Sequence, residues 1–542
     1  MVLRLSLAVV CVVPSVTASA QRLASEGGAP AAARLLLERG VHPALKWGRF
    51  SDFHGELRTL YPDSATPSVG YHWLVSGRPT SNALAVVRAL QTIETRGLSP
   101  TDFDAAWLAA QADRLTRPGA DDEEQRAQFD VGLSLAALRA SWALHRGSVR
   151  VRDVHPTFRL LRPAFDVGAF VRQLARITAI DSALTSLEPD YLHYALTKAA
   201  LARYRRRADT AATMVLPPPP GSRRTVTVGM SWAGASTLRR MLIESGDLAA
   251  DSVAPSVTQY VPALVRAVQR FQRRHGLDAD GDLGPETRAA LARPLADRIR
   301  ALELSLERWR WLPRLAEQRS AAPLVFVNIP AFRLYAFTGP TDDETNLLTM
   351  DVVVGKAVDN ETPVFSDTLS SIVFAPYWDV PASIATKEIW PKAKADPSYL
   401  ARNHYEVVRG RIRQKPGPWN SLGKVKFLFP NDYAVYMHDT PSQRAFRRSR
   451  RDESHGCVRL ADPKGFARWL LPDTTMYSAK WLDEAFRRDT SLVVPVPSPR
   501  PVVLMYATAM TRQSGETEFY PDIYDYDAKL WARMRQGYPR AR

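Results

Sequence analysis

The 542-residue chain is predicted to be a multidomain α+β protein, with a helical scaffold, a small three-helix module and a mainly β domain carrying a long lid insertion. Three observations lead to this fold class. A length of 542 residues, at about 150 residues per domain, calls for three or four domains. Pro217 to Pro220, followed by Gly221, forms a stiff break after a mostly helical region. From Leu324 onward, strand-like runs replace the helical patterns.

The scaffold is expected over residues 21–215, because apolar residues recur there at helical spacing. Clear examples are the stretches Ala83 to Thr95 and Phe129 to His145. No group of residues with a catalytic pattern stands out in this part of the sequence. We therefore expect it to have a structural role.

The three-helix module is expected over residues 222–295. Leu264, Val268 and Phe271 form an apolar stripe, and Gly276 is placed to end that helix. The acidic stretch that follows is not a calcium loop. Counted from Asp278, the sixth and twelfth positions hold Leu283 and an alanine, where that loop needs glycine and glutamate.

The mainly β domain is expected over residues 300–500, with a C-terminal strand and tail at 501–542 completing it. Runs at 324–329 and 332–337 are typical of two paired strands, and further strands are expected at 348–354 and 372–374. Residues 382–426 are polar and only weakly periodic. A segment of that length inside a β domain is usually functional, so we predict a lid over a site.

The first twenty residues predict export. Arg4 precedes an apolar run over residues 5–16, and Ala18-Ser19-Ala20 supplies the small residues of a cleavage site. The run is shorter than the ~20 residues needed to cross a bilayer, and no later stretch of the sequence is long enough. We expect residues 1–20 to be a cleaved signal peptide and the mature chain to lack a transmembrane segment. The formal net charge of +16 then favours an anionic envelope component over nucleic acid as a partner.

Cysteine usage draws attention to one thiol. Of the two cysteines, Cys11 lies in the expected signal, so the mature chain would keep only Cys457. Such a thiol is either buried and inert, a metal ligand with His438 and His455, or a nucleophile. The polar, turn-forming Ser454 context argues against an inert core position, and no C-x-x-C or H-E-x-x-H motif completes a metal site. We therefore favour the nucleophile.

The sequence around this thiol contains the parts of a nucleophilic site. Strand alternation over 433–440 would place Tyr436 and His438 on one face. Gly456 permits a sharp turn in which main-chain N–H groups converge, as in an oxyanion hole. Asp462, followed by a proline, is expected to cap a helix and hold the cysteine turn near a helix start.

His438 and the run Ser454-His455-Gly456-Cys457-Val458-Arg459 resemble the signature of the L,D-transpeptidase (YkuD-type) catalytic domain. The pattern from Phe271-Gln272 to Thr287 resembles a peptidoglycan-binding module. Further segments resemble the large multidomain L,D-transpeptidases of Gram-negative bacteria; these are residues 307–314, 328–334, 362–367, 377–381 and 438–442. Asp379 stands where that family usually carries asparagine.

The resemblance implies a periplasmic enzyme of cell wall biogenesis that makes 3–3 cross-links between peptidoglycan stem peptides. Cys457 would attack a donor tetrapeptide, release D-alanine and form a thioester, which an acceptor amine then resolves. His438 would act as the base with Asp439 as its orienter, while the main-chain amides of Gly456, Cys457 and His455 stabilise the oxyanion. Tyr436, Arg459 and Ser454 would contact substrate.

By the same resemblance, no cofactor and no metal are required, and carbapenem-type inhibitors would add to the thiol. Two alternatives stay open at this stage. One is an L,D-carboxypeptidase or hydrolase on the same site, which would share every catalytic residue. The other is a non-enzymatic peptidoglycan-binding scaffold, in which we would expect the cysteine or the histidine to have decayed.

Overall fold

The computed structural model describes residues 30–62, 70–117, 119, 122–156, 158, 162–208, 214–314, 324–338, 344–358, 360–538 and 540. The expected signal peptide and Cys11 lie outside these residues. Within them, no helix combines the length and the apolar character that crossing a membrane requires.

The N-terminal part is a helical domain built around one long helix. This helix is buried along most of its length, and the Asp122 side chain caps it by accepting from the Glu124 N–H. A buried ion pair, with Arg139 Nε 2.8 Å from Asp52 Oδ2, ties it to the preceding segment. The helices are α1 (Ala31–Arg39), α2 (His54–Leu60), α3 (Ser81–Gln91), α4 (Ala105–Thr116), α5 (Glu123–Arg146), α6 (Val167–Leu174), α7 (Ile180–Thr185) and α8 (Leu192–Ala208), with a hairpin of β1 (Leu74–Val75) and β2 (Arg78–Pro79).

The next module has the predicted three helices, α9 (Ala235–Glu244), α10 (Pro262–Arg274) and α11 (Pro285–Ala292). Proline opens α10 and α11, where its missing N–H costs no hydrogen bond. Gln272 fixes the acidic loop: its amide donates to Asp280 Oδ1 at 2.7 Å and accepts from the Gly281 N–H at 2.8 Å. The acidic loop is therefore a packing element tied to α10.

Helix α12 (Leu295–Arg310) joins the helical parts to the β domain. Trp309 near its end is buried, with its ring stacked on Phe326 at 4.9 Å and tilted against Tyr191 at 5.2 Å. Tyr191 belongs to the scaffold and Phe326 to the sheet. These rings form an aromatic junction between the scaffold and the sheet.

The β domain is a nine-stranded sheet that closes on itself. In chain order its strands are β3 (Leu324–Asn328), β4 (Arg333–Phe337), β5 (Leu348–Gly355), β6 (Phe365–Phe374), β10 (Val425–Leu428), β11 (Met437–His438), β12 (Asp452–Ser454), β13 (Val458–Leu460) and β14 (Leu492–Met505). Across the sheet they run β12-β5-β13-β11-β10-β6-β14-β3-β4, and β4 also pairs with β5. This closure removes open edges and encloses an apolar core.

The predicted lid is more ordered than its weak periodicity suggested. It carries β7 (Trp378–Asp379), β8 (Tyr405–Val408) and β9 (Arg411–Gln414) in a separate three-stranded sheet. Its helical segments are α13 (Ala382–Ile384), a π-helical turn (Ala385–Ile389), α14 (Trp390–Ala395) and α15 (Tyr399–Arg402). A small core of Val380, Ala385, Ile389 and Ile412 holds these pieces together. The predicted range 382–426 thus begins after β7 and ends inside β10.

The C-terminal part packs against the closed sheet and reaches back to the scaffold. It contains α16 (Pro463–Leu470), α17 (Ala479–Arg487), the pair β15 (Ala509–Thr511) and β16 (Thr517–Phe519), and α18 (Tyr526–Met534). Arg308 of α12 pairs with Asp527 of α18 at 2.5 Å. Tyr538, close to the end of the chain, lies in the apolar core of the scaffold.

Candidate active site

Two adjacent parallel strands bring together the two segments that carry the predicted catalytic residues. In the β11–β13 register, Met437 pairs with Val458 and His438 pairs with Arg459. The Val458 N–H donates to the Tyr436 carbonyl at 3.1 Å, so Cys457 lies next to Tyr436, immediately before the pairing begins. The register therefore sets Cys457 level with Tyr436, two positions from His438 along the neighbouring strand.

The turn that carries the thiol is closed by Ser454. Its hydroxyl donates to the Cys457 carbonyl at 2.6 Å and accepts from the Gly456 N–H at 3.2 Å. Gly456 has φ +108°, and an added Cβ would meet no atom closer than 3.7 Å. Backbone conformation, not crowding, therefore requires glycine here. The Gly456 amide, predicted as an oxyanion donor, is engaged within the turn in this structure.

The environment of the thiol opposes its ionisation. Burial raises the pKa of Cys457 above its usual value, against hydrogen bonding from Tyr436 and the positive charges of Arg459 and Lys426. Sγ also lies 3.8 Å from the Ala434 carbonyl, a weak acceptor contact for a protonated thiol. The resting group is therefore a thiol and not a thiolate.

His438 is buried, and its tautomer is fixed by the main chain. Nδ1 lies 2.5 Å from the Asp439 carbonyl oxygen, which can only accept, so Nδ1 carries the proton. Burial, followed by the charge of Arg459, lowers the pKa of His438 to about 3. The imidazole is neutral at physiological pH, with Nε2 as its basic nitrogen.

Asp439, the predicted orienter, contacts His438 through its main-chain carbonyl. Its carboxylate is used elsewhere, accepting from the Lys424 N–H at 2.8 Å and the Thr440 N–H at 2.7 Å. Gly423 makes room for that carboxylate, since a Cβ there would lie 2.4 Å from the Asp439 carboxyl carbon. Asp439 and Gly423 thus stabilise the end of β11, where His438 lies.

Tyr436 and Lys426 complete the wall next to the thiol. The rings of Tyr436 and His438 lie 5.7 Å apart between centroids, consistent with the predicted common face. Only Met437–His438 forms a strand, however, because Ala434 adopts φ +55° and interrupts the extended run predicted over 433–440. Lys426 Nζ lies 5.7 Å from the Tyr436 ring, and its residue pairs with His438 across β10 and β11.

Sequence reasoning missed Lys426 because no local pattern marks it. Its role follows from the pairing of β10 with β11, which the sequence did not predict. Burial lowers the pKa of this lysine, with Asp379 and Cys457 acting in the opposite direction. A partly buried cation near a thiol is a feature that only the fold reveals.

His438, Cys457 and Arg459 line one cavity of about 420 Å³ between the strand ends and the lid. The Arg459 guanidinium is half-buried, burial lowers its pKa, and its Nε has no hydrogen-bond partner among the described residues. Aromatic residues of the lid, Trp378, Tyr399 and Tyr405, form the opposite wall. The cavity therefore has a largely aromatic lid wall, which also carries Glu388 and Lys392, facing a floor that holds Cys457 and Arg459.

The lid also contacts the signature directly. Glu388 of the π-helical turn lies with Oε1 2.7 Å from His455 Nε2. The sequence analysis favoured a main-chain role for His455, as an oxyanion donor, over a side-chain role as a metal ligand. Its side chain is a contact point for the lid.

One expectation about the thiol is wrong. Asp462 does cap α16, accepting from the Gly465 N–H, but β13 lies between Cys457 and that helix. Three extended residues span about 10 Å, which is beyond the first turn of the helix. Helix-start amides therefore do not act on the thiol.

The basic loop at 441–451 is partly neutralised. Arg448 pairs with Glu453, Arg450 Nε lies 2.7 Å from Asp452, and Arg451 Nη2 lies 3.1 Å from Asp351. Among the described residues, no cluster of three or more histidine, cysteine or acidic side chains is arranged to hold a metal ion.

Comparison with known families identifies the class of each part. Residues 322–478 match the L,D-transpeptidase catalytic domain YkuD, residues 57–201 match the Scaffold domain, and residues 233–291 match the "Putative peptidoglycan binding domain". The chain carries a scaffold domain, a peptidoglycan-binding domain and a YkuD-type L,D-transpeptidase catalytic domain, in that order. The predicted family resemblance and fold class are confirmed.

A curated protein from Haemophilus influenzae named "Putative L,D-transpeptidase" is 32% identical over 233 residues. The match covers 38% of this chain and 45% of that relative, so it spans less than half of the relative's length. A solved L,D-transpeptidase from Stackebrandtia nassauensis is 11% identical, with a TM-score of 0.21 over 51% of this chain and 93% of its own. A fused zinc-dependent amidase/peptidase/peptidoglycan-binding domain-containing protein from Clostridium acetobutylicum is 12% identical, with a TM-score of 0.13 over 52% and 98%.

Proposed function

We propose that this protein is an L,D-transpeptidase that joins peptidoglycan stem peptides through a thioester on Cys457. One observation carries the proposal: the Cys457 thiol, just before β13, and the neutral His438 imidazole of the adjacent parallel strand β11 line one lid-covered cavity. A nucleophile with a base in the same site is the arrangement that acyl transfer needs. The YkuD match over residues 322–478 supports the same chemistry.

In the first step, Cys457 attacks the carbonyl of the third residue of a donor tetrapeptide. His438 takes the thiol proton as the C–S bond forms and passes it to the departing amine, releasing D-alanine. Because burial disfavours both charged forms, proton transfer accompanies attack instead of preceding it as a resting thiolate–imidazolium pair.

The developing oxyanion needs donors close to Cys457. We propose the Cys457 and His455 main-chain amides for this role, with the Gly456 amide joining them only if its bond to Ser454 is exchanged for one to the oxyanion. Arg459 and Lys426 would bind a substrate carboxylate, because both are cationic and partly buried beside the thiol. Tyr436 would contact substrate at the same wall.

In the second step, an acceptor amine attacks the thioester and leaves a 3–3 cross-link. Water at this step would instead make the protein an L,D-carboxypeptidase. The aromatic lid wall of Trp378, Tyr399 and Tyr405 favours transfer, because a covered site limits the access of water to the thioester. We place the protein outside the cytoplasmic membrane, in the periplasm, where its polymer would be found.

The proposal is tested with the purified full chain and a disaccharide-tetrapeptide. Mass spectrometry should reveal a cross-linked dimer together with released D-alanine, and Cys457→Ala should abolish both. A carbapenem should add one equivalent to the wild-type chain and none to the variant. Turnover by a correctly folded Cys457→Ala chain would overturn the nucleophile assignment, and loss of D-alanine without any dimer would identify the carboxypeptidase.

A further inference from the structure

Glu388 is a charged residue of the cavity that the proposed reaction has not yet used. It lies on the π-helical turn Ala385–Ile389 of the lid, a geometry that often marks functional sites. Among the described lining residues it is the only carboxylate, in a cavity that also holds Lys392 and Arg459. Its side chain is 45% exposed, so it is open to a ligand.

We propose that Glu388, held by His455, binds the ammonium group of the acceptor and so selects an amine over water in the second step. This inference rests on the proposed function and names a residue for its acceptor half. Glu388 Oε1 lies 2.7 Å from His455 Nε2, and His455 precedes Cys457 by two residues. This contact holds the Glu388 carboxylate against the cysteine turn. Its second oxygen is then available to a cation.

Charge separates the two substrate ends within this cavity. Carboxylates of a bound peptide are attracted to Arg459 on the strand side and to Lys392 of the lid, and they are repelled by Glu388, which lies against His455 of the cysteine turn. An ammonium group has the opposite preference. The arrangement therefore places an amine between the lid and the cysteine turn, where it can approach the thioester.

The chemical step balances with these groups. The ammonium gives one proton to the Glu388 carboxylate, which passes it to water, and the free amine attacks the thioester carbon. As the C–N bond forms and the C–S bond breaks, the second proton goes to sulfur and restores the Cys457 thiol. The products are an amide, a thiol and one proton released to solvent.

The test compares Glu388→Gln with wild type on the isolated acyl-enzyme. The thioester is formed from disaccharide-tetrapeptide, and its decay is followed by intact-protein mass spectrometry with increasing acceptor tripeptide or with hydroxylamine, which is uncharged at neutral pH. We expect the second-order rate with tripeptide to fall about tenfold and the rate with hydroxylamine to change by less than about twofold. Glu388→Asp should recover much of the tripeptide rate.

Asp396→Asn is the matched control, because this lid carboxylate bonds to Ser398 and lies outside the cavity. It should leave both rates near wild type. Equal loss with both nucleophiles would indicate a structural role for Glu388 and overturn the inference. Slower thioester formation with unchanged decay would assign Glu388 to the donor and overturn it too, whereas no acyl-enzyme on the wild-type chain would refute the proposed function itself.

Discussion

Thr362 donates its hydroxyl to the Gly456 carbonyl at 2.8 Å and accepts from the Gly355 N–H at 2.8 Å. Its own N–H donates to the Tyr524 hydroxyl at 3.2 Å, and that hydroxyl donates to the Gly355 carbonyl at 2.5 Å. Thr362 is fully buried. The turn that carries the thiol is therefore fastened to β5 and to a C-terminal segment outside the matched catalytic domain.

Thr362→Val should weaken this fastening without changing the volume of the side chain. The variant leaves the Gly456 carbonyl and the Gly355 amide without their buried partner, and each unmet group costs about 1–3 kcal/mol. For the two groups together we expect a loss of about 2–6 kcal/mol in the free energy of unfolding by urea denaturation. We also expect slower carbapenem addition to the folded protein.

Thr362→Ser restores the hydroxyl and should recover most of the addition rate. Thr368→Val, at an exposed position of β6, is the matched control and should change neither measurement appreciably. If Thr362→Val lost stability but added carbapenem at the wild-type rate, Thr362 would be structural without positioning the turn.

The proposed base His438 and the proposed nucleophile Cys457 together predict how the reaction rate depends on pH. A histidine of pKa about 3 keeps its basic nitrogen free throughout pH 5–7, whereas an ordinary histidine would gain a proton near pH 6.5. The rate of carbapenem addition should therefore show no limb near pH 6.5. Because the Cys457 pKa is raised, alkylation by iodoacetamide should keep increasing with pH past ~8.5.

Both rates are measured on protein shown by circular dichroism to be folded at each pH. A tenfold fall in carbapenem addition between pH 7 and 5, with a midpoint near 6.5, would contradict the neutral, buried imidazole. A thiol titrating below pH 7 would contradict the raised cysteine pKa.

Several buried histidines together predict that acid destabilises the fold. Each has a folded-state pKa lowered chiefly by burial, so the unfolded chain binds protons below pH 6.5 that the folded chain does not. Stability should therefore fall as the pH drops from about 6.5 toward 3, with no contribution from these groups above 6.5. The residues are His42, His145, His155, His193, His275 and His438.

His155→Phe isolates one of these contributions. The His155 ring packs against Tyr526 at 5.0 Å and Trp311 at 5.9 Å, surroundings that suit phenylalanine. Between pH 6 and 4 the variant should lose about 1.4 kcal/mol less per pH unit than wild type, the effect of one proton. The free energy of unfolding is measured by urea titration at each pH. If it falls equally steeply with pH in the variant and in wild type, His155 does not contribute to the acid destabilisation.

The signature turn and its flanking strands were within reach of sequence analysis, because their signals are local. The apolar runs at 324–329 and 332–337 predicted two paired strands, and β3 and β4 do pair, from Leu324 with Phe337 to Asn328 with Arg333. Gly456 was singled out for backbone freedom, and its φ of +108° agrees. The residues that sequence analysis missed depend on contacts between segments that are distant in sequence and become neighbours only in the folded chain.

Lys426, Thr362 and Glu388 illustrate that limit. Lys426 lies beside Tyr436 only because β10 pairs with β11. Thr362 reaches the cysteine turn only because its hydroxyl bonds to both Gly355 of β5 and Gly456. Glu388 lies on a lid whose own small core, not its periodicity, holds its shape. Sequence patterns report single elements, whereas these contacts depend on which elements become neighbours.

Arg459 should tune both catalytic groups, because its charge lowers the pKa of His438 and that of Cys457. Arg459→Gln removes the charge, so both pKa values should rise. At pH 8 the thiolate fraction would fall, and iodoacetamide alkylation should slow by about threefold to tenfold, with the pH profile displaced to higher pH. Arg459→Lys keeps a positive charge, so its alkylation rate should lie between those of wild type and Arg459→Gln.

The matched control is Arg447→Gln, an exposed arginine of the basic loop outside the cavity. Its alkylation profile should overlay that of wild type, because solvent screens a distant surface charge. Alkylation of Arg459→Gln at the wild-type rate across pH 7–10 would mean that the guanidinium does not act on the thiol. Any loss of turnover in that variant would then have to come from substrate binding, which would appear as a higher KM with kcat retained.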